Sequence, residues 1–408
     1  MTGSTRRAAA VLGAIVLWCG STACASDTKH DADNGSASTS TQQVIRGEVV
    51  STVPLAQMST DDTMAYLKAS ARNGVDAYRV VYRTIDTSGA PTTASGLVAL
   101  PRTESRRLRV VSYEHGTLSL KSDAPSVNGT TRPDRARTIM FAAAGYAAVA
   151  PDYLGLGEGP GFHPYTHAPT EVSASVDLLR AARTIAAQQQ REFDPDILVT
   201  GFSQGGQAAT ALGKALQAGE APGFGLAALA PISGPYDVRN VETPAGLDGR
   251  VIPASAVFYF AYWLTSMNRI HHLYDSPAEA FQEPYASKVE ELFDGNHNEI
   301  AISAALLTTP QQLLTPKFIA WSRNPTGAAL KALADTDGTC DWTPRVPVRL
   351  YAASGDRSVP YANSEHCLQA LRSDKATLVD LGDIDHGSTA RVALPQILEV
   401  FQQEFPPT

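Results

Sequence analysis

Short apolar runs alternate with helical stretches along most of this chain, and few folds accept that rhythm. Leu108–Tyr113 (LRVVSY), Tyr146–Ala150 (YAAVA), Ile197–Thr200 (ILVT), Leu226–Pro231 (LAALAP), Val346–Ala352 (VPVRLYA) and Ala376–Leu381 (ATLVDL) read as strands. Helical patterns separate them: Asp134–Ala144 with Gly145 behind it, Val172–Gln190, Gln204–Ala218, Tyr361–Leu371 and Ser388–Phe405, where Pro395 marks a break or a late start. Strand–helix–strand units build a parallel sheet covered on both faces, so its strands are apolar throughout. Upstream, Val75–Ile85 and Thr93–Leu100 show period-two character and also read as strands. The expected class is therefore α/β, a mostly parallel central sheet flanked by helices. Between about Tyr236 and Thr343 the rhythm stops. Val257–Asp275 is aromatic and helix-like, and Ser287–Phe293, Glu299–Leu307 and Thr308–Leu314 look like short helices. An insertion of this kind between two strands sits above the sheet. The expected organisation is a core of residues 44–235 and 344–408 with a helical cap over 236–343. No internal repeat is evident.

One strand–helix junction carries chemistry. Gly201-Phe202-Ser203-Gln204-Gly205 fits G-x-S-x-G at the point where strand becomes helix. The glycines answer a steric need, because the turn strains the serine backbone and bulky neighbours would collide across it. A serine hydroxyl is a weak nucleophile near neutral pH and needs a base. His386, in Gly382-Asp383-Ile384-Asp385-His386-Gly387, follows the last strand and is the expected base. His115, His163, His167, His271, His272, His297 and His366 compete less well. His163 and His167 are four apart, but no third ligand is evident, so His-Pro-Tyr-Thr-His reads as a loop and not a metal site. The base needs a carboxylate to fix its tautomer. Asp356 follows the strand VPVRLYA, and the order Ser203, Asp356, His386 suits this fold class. Asp383 and Asp385 are rivals by proximity, and Asp152 reads as structural. An oxyanion needs two donors. The Gln204 backbone N–H is one. The other is expected from Thr117 in the loop His115-Gly116-Thr117, where Gly116 permits close approach.

These pieces together resemble the α/β-hydrolase superfamily, and more closely its bacterial lipases and esterases akin to the secretory lipase family. The matching stretches are Tyr113–Thr117 (YEHGT), Pro151–Gly157 (PDYLGLG), His163–Tyr165 (HPY), Asp177–Arg183 (DLLRAAR), Gly201–Gly206 (GFSQGG), Gly234–Asp237 (GPYD), Asp356 and His386. The resemblance implies hydrolysis of carboxylic esters through an acyl-enzyme, a helical lid and no cofactor. The aromatic residues Phe258, Tyr259, Phe260, Tyr262 and Trp263 would line or cover an apolar acyl site. A serine peptidase or an acyltransferase on the same fold, and a binding module without activity, are the alternatives.

The N-terminus bears on location. Arg6 and Arg7 precede an apolar stretch, Ala8–Trp18, and small residues follow, as in an export signal over residues 1–23. Cleavage after Ala25 would release the chain. Cleavage before Cys24 would leave a lipidated cysteine and membrane attachment. Residues 24–43, rich in Ser, Thr and Asp, read as a flexible tether. Two cysteines then remain in the body, Cys340 and Cys367. In an oxidising compartment they would form a disulfide, and otherwise two buried thiols. The net charge of −8 comes with no basic patch, which argues against nucleic acid as a partner.

Overall fold

A computed structural model describes residues 45–408. The expected signal, tether and Cys24 lie outside the described residues. The sheet has nine strands: β1 Val49–Met58, β2 Gly74–Ile85, β3 Pro91–Arg102, β4 Val110–Glu114, β5 Ala147–Pro151, β6 Asp196–Phe202, β7 Gly225–Ile232, β8 Val348–Ala352 and β9 Ala376–Asp380. Their spatial order is β1-β2-β3-β5-β4-β6-β7-β8-β9. The first three are antiparallel neighbours, β3 meets β5 antiparallel, and the rest run parallel. Parallel strands put their carboxyl ends along one sheet edge, where ligands of α/β proteins bind. β1 is not legible in the sequence. It is an exposed edge strand holding Pro54 beside an irregular register, so it has neither a buried face nor a continuous ladder to write a pattern.

Helices cover both faces. On one side α2 (Ala168–Gln188), α3 (Gln204–Ala218) and α7 (Ala362–Leu371) share a buried cluster that includes Leu178, Leu212 and Leu371. On the other, α1 (Asp134–Ala143) and the closing helix α8 (His386–Glu404) bury Ile139, Phe141, Leu394 and Phe401. α8 is continuous through Pro395, correcting the expected break. Proline frees the carbonyl four residues back. That residue, Arg391, is exposed, as is Pro395, so water can satisfy the carbonyl.

Between β7 and β8 the regular elements among the described residues are helices, apart from one isolated bridge. The longest members are α4 (Pro253–His271), α5 (Pro316–Arg323) and α6 (Ala328–Thr336). They enclose an apolar cluster of their own around Phe258, Tyr262, Phe281 and Phe293. Cys340 and Cys367 are joined as a disulfide that ties the end of this insertion to α7. Among the described residues, no helix is long and apolar enough to cross a membrane.

Candidate active site

β6 ends at Phe202 and α3 starts at Gln204, so Ser203 alone makes the turn, with φ 58° and ψ −122°. A non-glycine residue there is strained. The glycines around it are dictated by contact. A Cβ on Gly205 would lie 2.0 Å from the Glu114 carbonyl oxygen, and one on Gly201 would lie 2.2 Å from that of Gly205. β4 and the elbow are therefore packed backbone to backbone, and Ser203 is lifted off the sheet edge at the positive end of α3.

His386 Nε2 lies 2.9 Å from Ser203 Oγ, and His386 Nδ1 lies 2.6 Å from Asp356 Oδ2. The other carboxylate oxygen, Oδ1, accepts the backbone N–H groups of Ser358 and Val359 at 2.8 and 2.9 Å. Asp356 is thus locked at both oxygens, and Phe202 packs on the His386 ring with centroids 4.8 Å apart. His386 is the first residue of α8 instead of a loop residue. The rivals have other work. Asp385 is the N-cap of α8, accepting from Ser388 N–H, and Asp152 is buried under hydrogen bonds from Ser95 and Ser126. His366 sits 3.3 Å from Asp237 and is away from Ser203.

The loop after β4 lies against Ser203: a Cβ on Gly116 would come within 3.6 Å of Ser203 Cβ. Among the described residues, the N–H groups of Gln204 and Thr117 have no hydrogen-bond acceptor. The Thr117 hydroxyl instead pairs with Tyr165 Oη at 3.1 Å. His115 is buried beneath, its nitrogens facing the carbonyls of Gly116 and Asp152.

The Gln204 side chain, silent in the motif, is anchored by two distant residues. Its Nε2 donates to Glu171 Oε1 at 2.8 Å and to His163 Nε2 at 3.0 Å. His163 can accept because its Nδ1–H donates to the Leu154 carbonyl, and burial holds the ring neutral, pushing its pKa down to about 3. Glu171 is fully buried, and desolvation pushes its carboxyl up to about 8. Glu114 beside it is pushed up to about 7 for the same reason. Neither acid was singled out in the sequence. For Glu171 the signal was there: an acid among Ala174, Ser175 and Leu178 on the buried face of a helix.

A carboxyl whose folded pKa is raised stabilises the fold fully below its unfolded value. That contribution is lost as pH rises through the folded value. For Glu171 the window runs from the ordinary carboxyl value of 4.5 to about 8. Glu171→Gln keeps the acceptor for Gln204 and removes the proton. Thermal unfolding between pH 5 and 8 should show a fall in Tm a few degrees smaller than in the wild type. An unchanged slope would sink the assignment.

Ser203 opens into a cavity of about 920 Å³, open solvent included. Tyr165, Tyr259, Phe260, Trp263, Phe318 and Leu333 form much of its wall. Of the aromatic cap residues expected there, Phe258 and Tyr262 turn instead into the insertion's own core. Helical spacing explains the split, since 258 and 262 are four apart and share the opposite face. Among the described residues, the one carboxyl in the wall is Glu242, and burial pushes it up to about 8. Asn363 Nδ2 donates to its Oε1 at 2.6 Å.

Residues 135–387 match the sequence model of the Alpha/beta hydrolase family. No curated protein is a sequence match. Solved structures are similar over nearly the whole described chain. The rice cell wall degrading esterase LipA from Xanthomonas oryzae is 27% identical, with 88% of this chain and 98% of that one covered at a TM-score of 0.77. A Legionella pneumophila protein is 29% identical, covering 87% and 98% at 0.79. Candida antarctica lipase A in its closed state, at 16% identity, 88% and 82% coverage and 0.65, shares the fold.

Proposed function

The chain belongs to the alpha/beta hydrolase family, and on that premise we propose that it is an exported serine esterase or lipase acting through Ser203, His386 and Asp356. The observation that carries this reading is the unbroken line Ser203 Oγ, His386 Nε2, His386 Nδ1, Asp356 Oδ2, set at the wall of an apolar cavity. Ser203 Oγ attacks the ester carbonyl while His386 takes its proton. The N–H groups of Gln204 and Thr117 hold the oxyanion. His386 then protonates the leaving alkoxide, which departs as the alcohol, and water activated by the same ring releases the acid from the acyl-enzyme. The cavity takes the acyl chain, and its aromatic wall favours an apolar one. Export is supported by the N-terminal pattern and by the disulfide, which belongs to an oxidising compartment. A mass measurement of the mature N-terminus separates a lipidated Cys24 from cleavage after Ala25.

The test is a panel of p-nitrophenyl esters of increasing acyl length, run beside aminoacyl amides and with alcohol acceptors. Turnover of esters with hydrolysis dominant supports the reading. Dominant amide cleavage or acyl transfer overturns it in favour of a peptidase or an acyltransferase. Leu333→Trp fills the cavity from α6. It should lower kcat/KM for the longest good substrate by about tenfold or more while leaving the acetyl ester within a few-fold. Equal losses on both esters would remove the cavity from the acyl path.

A further inference from the structure

We propose that His167, His271 and Asp335 form a zinc-type divalent cation site that ties the inserted helices to the core. The three come from separate elements. His167 is the N-cap of α2, His271 is the last residue of α4, and Asp335 lies in the last turn of α6. One ligand atom from each lies within 4.8 Å of the other two. The Asp335 Oδ2 atom is 2.9 Å from His271 Nε2 and 3.5 Å from His167 Nε2.

The proton arrangement points to a cation. The Thr170 hydroxyl donates to the His167 carbonyl at 3.1 Å, so at 3.0 Å from His167 Nδ1 it can only accept. Nδ1 therefore carries the hydrogen of His167. Nε2 is left as a bare lone pair facing a carboxylate oxygen. His271 Nε2 is buried as well and has no hydrogen-bond partner, since its approach to Asp335 lacks the needed direction. Two imidazole nitrogens and a carboxylate oxygen thus converge on one point. A divalent cation at their centre would accept all three.

Two imidazoles and one carboxylate suit Zn²⁺, with water completing four ligands. The Asp335 side chain is 32% exposed and faces a surface groove shared with Ala168, Lys214 and Asp337, which gives ion and water access. Thr170 supplies the outer hydrogen bond that orients a ligating histidine. From sequence, His167 lacked a third ligand because the other two reside 104 and 168 positions downstream, in the insertion. The cation's effect falls on the cavity. Thr166, Trp263 and Leu333, each on one of the three joined segments, line it, and Trp263 Nε1 donates to Thr336 Oγ1 across α4 and α6. None of the three proposed ligands touches Ser203, so the ion would hold the wall in place without entering the chemistry.

The experiment uses tag-free full chain stripped with a chelator, then titrated with Zn²⁺ against a chromophoric competitor. One ion per chain with a Kd of about 1 μM or tighter is expected. Co²⁺ in its place should give the intense visible bands of a four-coordinate site. Tm should rise by about 4 °C at zinc a hundredfold above Kd. His271→Ala and Asp335→Asn should each weaken binding by about 100-fold or more, with far-ultraviolet dichroism unchanged. Should His271→Ala fail to fold, Asp335→Asn decides, because its side chain is partly exposed and keeps its shape. Absence of stoichiometric binding by the wild type overturns the proposal. So does binding within threefold of wild type in Asp335→Asn, which would assign the ion elsewhere. The readouts are independent of ester hydrolysis.

Discussion

Ser203→Ala is expected to lower kcat on a p-nitrophenyl ester by on the order of 10⁶-fold, with KM nearly unchanged. The substitution removes only the attacking oxygen. The apolar cavity and the free N–H groups of Gln204 and Thr117 stay, so binding persists while chemistry stops. The same variant should lose all labelling by a fluorophosphonate probe. Full labelling of the wild type and none of Ser203→Ala would also dispose of a binding module without activity. Retention of more than about a hundredth of the wild-type kcat would sink the assignment of Ser203 as nucleophile. The elbow offers little room for a silent variant, since Ser203 holds φ 58° in either case and alanine bears the same backbone strain.

Asp356→Asn is expected to cost about 10⁴-fold in kcat, and its geometry says how. The backbone N–H groups of Ser358 and Val359 hold one carboxylate oxygen. In the variant the amide oxygen must take that place, since an NH₂ group there would face two donors. The NH₂ then faces His386 Nδ1 and donates to it. The ring hydrogen moves to Nε2, toward Ser203 Oγ, and the base has no lone pair to offer. The double variant with Ser203→Ala should be no slower than Ser203→Ala alone, because the three residues act as a unit. Asp385→Asn is the control. It caps α8 from an exposed position, so turnover should stay within a few-fold. A loss under tenfold in Asp356→Asn, or a large one in Asp385→Asn, would move the acid's role elsewhere.

Much of this architecture is written locally. A buried parallel strand is apolar on both faces, and the helix that follows has its own period, so six strands and most core helices could be read within a few residues either way. The elbow belongs to the same class. Gly201 and Gly205 are required by backbone contacts that every such turn makes. β1 fell outside this, since an exposed edge strand buries too little to carry a pattern. Pro395 misled because the cost of a proline depends on whether water reaches the freed carbonyl, which is a fact about the surface.

By itself, the sequence determined the class of fold, the turn that presents Ser203, and the order of the proposed nucleophile, acid and base. Tertiary structure alone decided how those parts meet. Ser203 and His386 are 183 positions apart, and Gln204 finds Glu171 and His163 across 33 and 41. It likewise chose which cap aromatics face the cavity and brought His167, His271 and Asp335 together. The physical reason is the range of the forces. Turn sterics and strand burial act over a few neighbours, whereas a hydrogen bond or a desolvated carboxyl records only what packing has placed beside it.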